Sequence, residues 1–478
     1  MKRVLSLILV MALSLTVAGC GNQPDNEAPG GAVEVATPAP ETDQEKEEET
    51  VESPAAEDGD SSDRGDTEVE ETKETVEVPA LRDTVPAKSG MFVGCAVTSR
   101  EITDAKVWDI ITTHFDHVTF GNELKPDALF DYSVSKCPGT ETASLNGEDL
   151  VVPKLNYSRA EGMLNKILKW NEENPDRPIK VRGHVLVWHS QTPEWFFHED
   201  YDKTKPYVDK DEMNKRLEWY IATVLTHFTG EDSKYKDLFY GWDVVNEAVS
   251  DGTGGPDGIR TDAENSESLN EDRHGSNSSW YHIYQSNEFI INAFKYANKY
   301  APADLELFYN DYNECNFNKR NNIIKLLEAI KAQEGAPGEG TRIDAMGMQG
   351  HYSIDDPSAD NIIASIKQYA KAVGKVQITE LDITASSDYD GTDATKEAEN
   401  EKLRKRYNLI YYALQSAAME KDVTVEGFTF WGTVDHYSWL QSRSNVGGGS
   451  KTGLPQMPLL FDENYEPKPC FFVFANTK

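Results

Sequence analysis

From about residue 90 onward, short apolar runs alternate with longer stretches whose apolar residues return every three to four positions. The short runs are 91–97, 117–123, 179–188, 240–246, 305–312, 345–352, 375–383 and 426–432. They are rich in Val, Ile, Phe, Tyr and Trp and are apolar on both faces, as buried strands are. The longer stretches are 158–174, 212–228, 281–300, 320–333, 360–373 and 397–420. In the first, Leu164, Ile167 and Leu168 share one face, and Ser158 followed by Glu161 predicts a capping box. In the second, Leu217, Tyr220, Ile221, Val224 and Phe228 keep helical spacing. Strands that alternate with helices predict an α/β fold, a (β/α)8 TIM barrel over residues 86–478. A doubly wound sheet would give the same alternation, but no glycine-rich phosphate loop follows the first strand. Two insertions, 131–156 and 250–279, follow the second and fourth strands. They would stand at the C-terminal mouth, where barrels of this kind carry their sites.

The beginning of the chain has a different texture. Lys2 and Arg3 precede an apolar run from Val4 to Val17, too short for a spanning helix and patterned as a secretory signal over 1–20. Its ending, Val17-Ala18-Gly19-Cys20, resembles a bacterial lipobox, which implies lipidation at Cys20 and an extracellular, membrane-anchored protein. Residues 21–85 are expected to be a disordered acidic linker. Between Gly21 and Ala80 there are twenty acidic residues against Lys46, Arg64 and Lys73, and no aromatic residue. Such a stretch cannot bury enough apolar surface to order itself, and its like charges favour an extended tether.

Charge and cysteine usage remove several function classes. The chain of 478 residues carries a formal net charge of −35, and without Lys and Arg clusters nucleic acid is not an expected partner. Cys95, Cys137, Cys315 and Cys470 are far apart and form no C-x-x-C pair, so no metal or other cofactor is expected. In an exported protein these four could pair in three ways or remain buried thiols. A monomer is expected.

The candidate chemistry lies at strand ends. Trp242-Asp243-Val244-Val245-Asn246-Glu247 and Ile378-Thr379-Glu380-Leu381-Asp382 place carboxylates inside apolar runs. An unpaired buried carboxylate is costly, so such groups are paired, exposed or functional. In an eight-stranded barrel Glu247 would end strand four and Glu380 strand seven, on opposite sides of one mouth. Two carboxyl groups facing each other across a cleft are what glycoside hydrolysis needs.

At this point the chain resembles glycoside hydrolase family 10, the barrel xylanases, over residues 90–478. The resemblance is carried by Trp242 to Ala248, by Arg182-Gly183-His184-Val185-Leu186-Val187-Trp188-His189, and by Thr379-Glu380-Leu381-Asp382. Met348-Gln349-Gly350-His351 and Trp431-Gly432 with Ser438-Trp439 complete it. It implies a retaining endo-1,4-β-xylanase with Glu247 as acid/base and Glu380 as nucleophile, acting on xylan without a metal. Glu247 is then expected to be kept protonated by apolar surroundings and by the charge of Glu380. The resemblance also implies sugar contacts from Asn122, Lys125, His184, Trp188, Gln191, Asn246, Gln349 and His351, with His351 keeping Glu380 ionised and aimed. Trp431 and Trp439 are expected as stacking faces, and Tyr312 on the leaving-group side.

One position departs from the pattern. Thr119-Phe120-Gly121-Asn122-Glu123-Leu124-Lys125 has Gly121 where the family carries a glutamate that contacts the second sugar on the non-reducing side. Glu123, on the same strand face by alternation, is a candidate substitute. The competing readings are a β-1,4-glucan-active glycosidase of the same family and an inactive glycan-binding lipoprotein.

Overall fold

The computed structural model describes residues 78–252, 254–263, 277–442 and 455–475. The signal segment, Cys20, the acidic stretch up to residue 77 and positions 264–276 of the second insertion lie outside the described residues.

Eight parallel strands form the centre. They are β1 (Phe92–Val97), β2 (His117–Phe120), β3 (Lys180–Gly183), β4 (Phe239–Asn246), β5 (Glu306–Asp311), β6 (Ala345–Met348), β7 (Lys375–Thr384) and β8 (Thr424–Phe430). Each pairs with its sequence neighbours, and β8 returns to β1, so the sheet closes. Helices at Ala105–His114, Ser158–Glu173, Lys210–Thr229, Glu288–Tyr300, Phe317–Lys331, Ala359–Val373 and Asp393–Ala418 connect successive strands. Closure leaves no free strand edge, and the helices bury the outer face of the barrel.

Several elements differ from the pattern-based expectation. Residues 81–85, assigned above to the linker, belong to a helix, Leu81–Ser89, whose Leu81 and Val85 are fully buried. Arg82 of that helix donates to the Thr112 and Pro178 carbonyls, tying it to the barrel floor. The acidic composition ends just before this apolar pair, which is where packing begins. The expected capping box is not formed. Asn156 Oδ1 accepts from the Ser158 amide at 3.0 Å, while Glu161 pairs with His227 at 3.0 Å. The stretch 281–300 splits into Ser279–Tyr284 and Glu288–Tyr300, because Gln285 takes the left-handed conformation at φ 51°. The first insertion contains an antiparallel hairpin, Thr140–Leu145 with Glu148–Pro153. Its turn is Asn146-Gly147, both at positive φ, the geometry that a two-residue hairpin loop demands. The four cysteines are free thiols, with Cys95, Cys315 and Cys470 buried.

Two expected strands are interrupted at the mouth. The run 179–188 leaves the sheet after Gly183 and resumes as Val187–Trp188 beside the end of β4. The run 345–352 leaves after Met348 and resumes as His351–Ser353 beside β7. Both breaks turn polar side chains toward the mouth. Inside the barrel, Arg182 is fully buried, bonds to Asp243 and lies with its guanidinium 4.2 Å from the Phe308 ring centre. It fits because β6 has Gly347 opposite. A Cβ there would stand 2.3 Å from Asn310 Oδ1 and 2.8 Å from Arg182 Nη2.

Candidate active site

Glu380 lies on β7 beyond the level at which β6 ends, since Ile378 is already opposite Met348. Its carboxylate therefore emerges at the mouth, yet the residue is only 5% exposed. Asn310 at the end of β5 donates to its Oε1 at 2.8 Å, and His351 Nε2 stands 3.2 Å from its Oε2. The other ring nitrogen of His351 is 2.8 Å from Asp382 Oδ1. An imidazole between two carboxylates donates from both nitrogens only as the cation. Burial disfavours that charge, but Asp382 and Glu380 outweigh it and push His351 up to about 10. For Glu380, burial would raise the carboxyl. The His351 hydrogen bond, the charges of His184 and His351 and the Asn310 amide prevail and hold it at about 2. His351 is thus in direct contact with Glu380.

Glu247 follows the last residue of β4 and adopts φ 55°, a left-handed conformation uncommon for a residue with a side chain. Its backbone is fixed on both sides, with its amide donating to the Asn310 carbonyl at 2.9 Å and its carbonyl accepting from Arg260 Nε at 3.0 Å. The apolar surroundings expected for its carboxyl are not found. Oε1 accepts from Gln349 Nε2 at 2.8 Å and from Asn246 Nδ2 at 3.1 Å, and Oε2 accepts from Trp188 Nε1 at 2.9 Å. The acidic side chain is aimed by three N–H donors from three segments of the mouth.

The two carboxylates are connected through two side-chain amides, since Asn246 Nδ2 donates to Glu247 and Asn246 Oδ1 accepts from Asn310. Asn310 Nδ2 donates to Glu380 and also to Asn246 Oδ1 at 2.9 Å, while Asn310 Oδ1 accepts from Thr379 Oγ1 at 2.7 Å. Asn310 is fully buried, and β4, β5 and β7 meet on it. Its place in Tyr309-Asn310-Asp311 at a strand end was visible in the sequence, but its bridging role depends on which strands adjoin.

The remaining expected residues line the same mouth with more specific duties. His184 is oriented by Asp243 Oδ2 at 2.9 Å, which leaves Nε2 available. Lys125 Nζ donates to Asn122 Oδ1 at 3.3 Å and to Gln191 Oε1 at 3.1 Å, and stands 5.0 Å from the Trp188 ring centre. Burial pushes the Lys125 ammonium down, opposed by Glu380, Asp127 and Glu247. Gln191 uses its amide nitrogen on Asp127 Oδ2 at 3.2 Å. Gln349, expected as a sugar contact, is committed to Glu247 and Asn246. Trp431 sets its ring edge-on to His184 and His351, at centroid distances of 5.5 and 6.2 Å. Trp439 donates to Asp382 Oδ2 at 2.6 Å, with its ring 4.8 Å from that of His351. Tyr312 lies on the Glu247 side and accepts from Arg260 at 3.2 Å.

Glu123 does not take the place of the glutamate missing at Gly121. It is 3% exposed, and its carboxylate accepts from the Ser99 amide at 2.6 Å and the Asn122 amide at 3.3 Å. It ties the loops after β1 and β2 together instead of facing the cleft. Arg260, absent from the sequence-based set, comes from the first half of the second insertion. An isolated Arg in a polar loop gave no signal.

Comparison with known proteins agrees with this geometry. Residues 80–477 match glycosyl hydrolase family 10. The chain is similar to a bifunctional endo-1,4-β-xylanase of Ruminococcus flavefaciens, 33% identical over 79% of this chain and 32% of that protein. It is 35% identical to an endo-1,4-β-xylanase of Geobacillus stearothermophilus, over 62% of this chain and 77% of that one. Among solved structures, xylanase 10B of Clostridium thermocellum complexed with xylohexaose has a TM-score of 0.65 at 29% identity, over 83% of this chain and 67% of that one. Xylanase B of Clostridium stercorarium has a TM-score of 0.63 at 27% identity, over 84% of this chain and all of that one. The chain spans about a third of the length of several of the longer relatives. The family match covers the whole folded barrel, with both glutamates inside it, and the chain belongs to glycosyl hydrolase family 10.

Proposed function

We propose that the chain is a retaining endo-1,4-β-xylanase. The observation that carries this reading is the pairing of two carboxyl groups at one mouth, each held by its own set of donors. Glu380 is held anionic by His351 and Asn310, and Glu247 is aimed by three donors. In the first step Glu247 gives its proton to the glycosidic oxygen while Glu380 attacks the anomeric carbon, forming a glycosyl ester and releasing the leaving chain. In the second step Glu247, now a carboxylate, takes a proton from water. The water oxygen attacks the same carbon, and Glu380 leaves as the carboxylate. Asn246 is placed to bond the 2-hydroxyl of the reacting sugar, where such contacts strengthen in the transition state. Relatives described as endo-1,4-β-xylanases, and one bound to xylohexaose, support xylan as the substrate.

The test is hydrolysis of xylan by the wild type, Glu380→Gln and Glu247→Ala. Release of xylooligosaccharides with a β-configured initial product, lost in both variants, is the expected result. Near-native activity in either variant, or an α-configured initial product, refutes it. Parallel turnover of mixed-linkage β-glucan shows whether Gly121 has moved the preference to another β-1,4-glycan.

The same reading includes location. Val17-Ala18-Gly19-Cys20 supports lipidation of Cys20 and display of the barrel outside the cell membrane. In that case Cys20→Ala moves activity from the membrane fraction to the soluble one. Unchanged fractionation overturns the anchor and leaves the enzymic reading intact.

A further inference from the structure

Beneath the Glu247 wall of the mouth is a buried polar set that the two-step reaction does not itself use. Tyr309, on β5 and fully buried, makes three hydrogen bonds with one hydroxyl. Its Oη accepts from the amides of Ala248 at 3.1 Å and Val249 at 3.2 Å, and donates to Asp311 Oδ2 at 2.5 Å. The two amides are those immediately after Glu247. Asp311, also fully buried, uses Oδ1 on the Tyr312 amide at 2.9 Å and on Lys319 Nζ at 2.9 Å. Lys319, 3% exposed, reaches Asp251 Oδ1 at 3.0 Å and lies 3.6 Å from the centre of the Tyr312 ring.

We infer that Asp311, acting through Tyr309 and Lys319, is a positioning residue that sets the proton donor Glu247 and the leaving-group face Tyr312 in one fixed relation. The inference rests on the proposed role of Glu247 as acid. One oxygen of Asp311 holds the loop that carries the acid. The other holds both the backbone of Tyr312 and the ammonium under its ring.

The physical need is local. Glu247 is in a left-handed conformation that its own side chain disfavours, and such a conformation persists only where its surroundings over-determine it. Removing the Tyr309 hydroxyl leaves two buried amides without their acceptor, and the loop after Glu247 relaxes to find another. The acid oxygen then drifts from the glycosidic oxygen it must protonate, while Glu380, held from β7 and His351, keeps its place. The defect therefore falls on the proton transfers of Glu247, of which kcat/KM reads the donation in the first step. Lys319 has the matching task under Tyr312, where a cation at one face of the ring fixes its plane.

Leaving-group dependence separates this role from general support of the rim. A 2,4-dinitrophenolate departs without protonation, whereas a phenolate or a sugar alkoxide needs the acid. The experiment measures kcat/KM of wild type, Tyr309→Phe and Glu247→Ala on phenyl and 2,4-dinitrophenyl β-xylobioside. For Tyr309→Phe the expected loss on the phenyl substrate exceeds that on the dinitrophenyl substrate by about tenfold, a fraction of the 10²–10⁴ available to acid catalysis. Equal losses on both, or none, overturn the inference. If Tyr309→Phe does not fold by circular dichroism, the same ratio is read on Asp311→Asn with the same two outcomes. Failure of the underlying reading is distinguishable. A wild type that cleaves neither substrate refutes the glycosidase, and a Glu247→Ala variant without the split refutes the acid.

Discussion

Replacing His351 by Asn tests the charge logic of the nucleophile. The wild-type ring is a cation between Asp382 at 2.8 Å and Glu380 at 3.2 Å, with His351 pushed up to about 10 and Glu380 held at about 2. Asn keeps a donor near the nucleophile but removes the charge. A hydrogen bond from a charged donor is worth about 1.5–3 kcal/mol, which corresponds to about one to two pH units at 1.36 kcal/mol per unit. The low-pH limb of kcat/KM reports ionisation of the free enzyme's nucleophile. Measured on 2,4-dinitrophenyl β-xylobioside, which needs no proton donor, it is expected well below pH 4 in the wild type and about one to two units higher in His351→Asn. The same change leaves Asp382 with the Trp439 indole as its remaining side-chain donor. Removing one partner of a buried ion pair costs about 3–5 kcal/mol, so the melting temperature should fall as well. A folded variant whose acid limb stays in place refutes the reasoning. So does a wild-type limb near the ordinary glutamate range.

Other expectations follow from single contacts. Glu314 is fully buried, one of its oxygens has no hydrogen-bond partner among the described residues, and burial raises its carboxyl to about 7. A raised acid loses stability as pH climbs from its unfolded value of 4.5 through 7. Glu314→Gln lacks that slope and should gain about 3 kcal/mol on the wild type between pH 4.5 and 8 in denaturant titrations; parallel curves contradict this. Gly347→Ala would set a Cβ 2.3 Å from Asn310 Oδ1. It should cost about 1–3 kcal/mol by calorimetry and lower kcat, because Asn310 aims Glu380. At Gly121 a Cβ would meet Thr98 Cγ2 at 3.3 Å, with the Val97 carbonyl 4.0 Å away. Gly121→Glu with Thr98→Ser is therefore expected to fold and to lower KM for xylotriose with kcat little changed; an unchanged KM argues that this position does not touch the second sugar.

Much of the barrel was legible because the central strands are largely buried on both faces and read as mainly apolar runs. The two glutamates stood out for the same reason, as charges where packing wants none. The hairpin after β2 escaped because its strands are largely exposed and polar, although Asn146-Gly147 announced its turn. The helix at Leu81–Ser89 escaped because two apolar residues, Leu81 and Val85, are too few to show a period next to an acidic run. Polar partners were the least legible of all. Asn310, Arg260 and Tyr309 matter through neighbours on other strands, and strand adjacency is a property of the closed sheet. Glu123 shows the opposite error. Strand alternation put it on the right face, but β2 ends at Phe120, and beyond it the carboxylate folds back onto the Ser99 and Asn122 amides.

The indole of Trp439 has a consequence for anyone reshaping substrate choice. Its nitrogen is bonded to Asp382, which orients the same imidazolium that keeps Glu380 charged. A side chain chosen there for a different sugar also retunes the attacking group three hydrogen bonds away. Selectivity and turnover at this wall are therefore not independent dials, and libraries that vary Trp439 alone will tend to trade one for the other. Varying Asp382 and Trp439 together is the route by which the two could be adjusted separately.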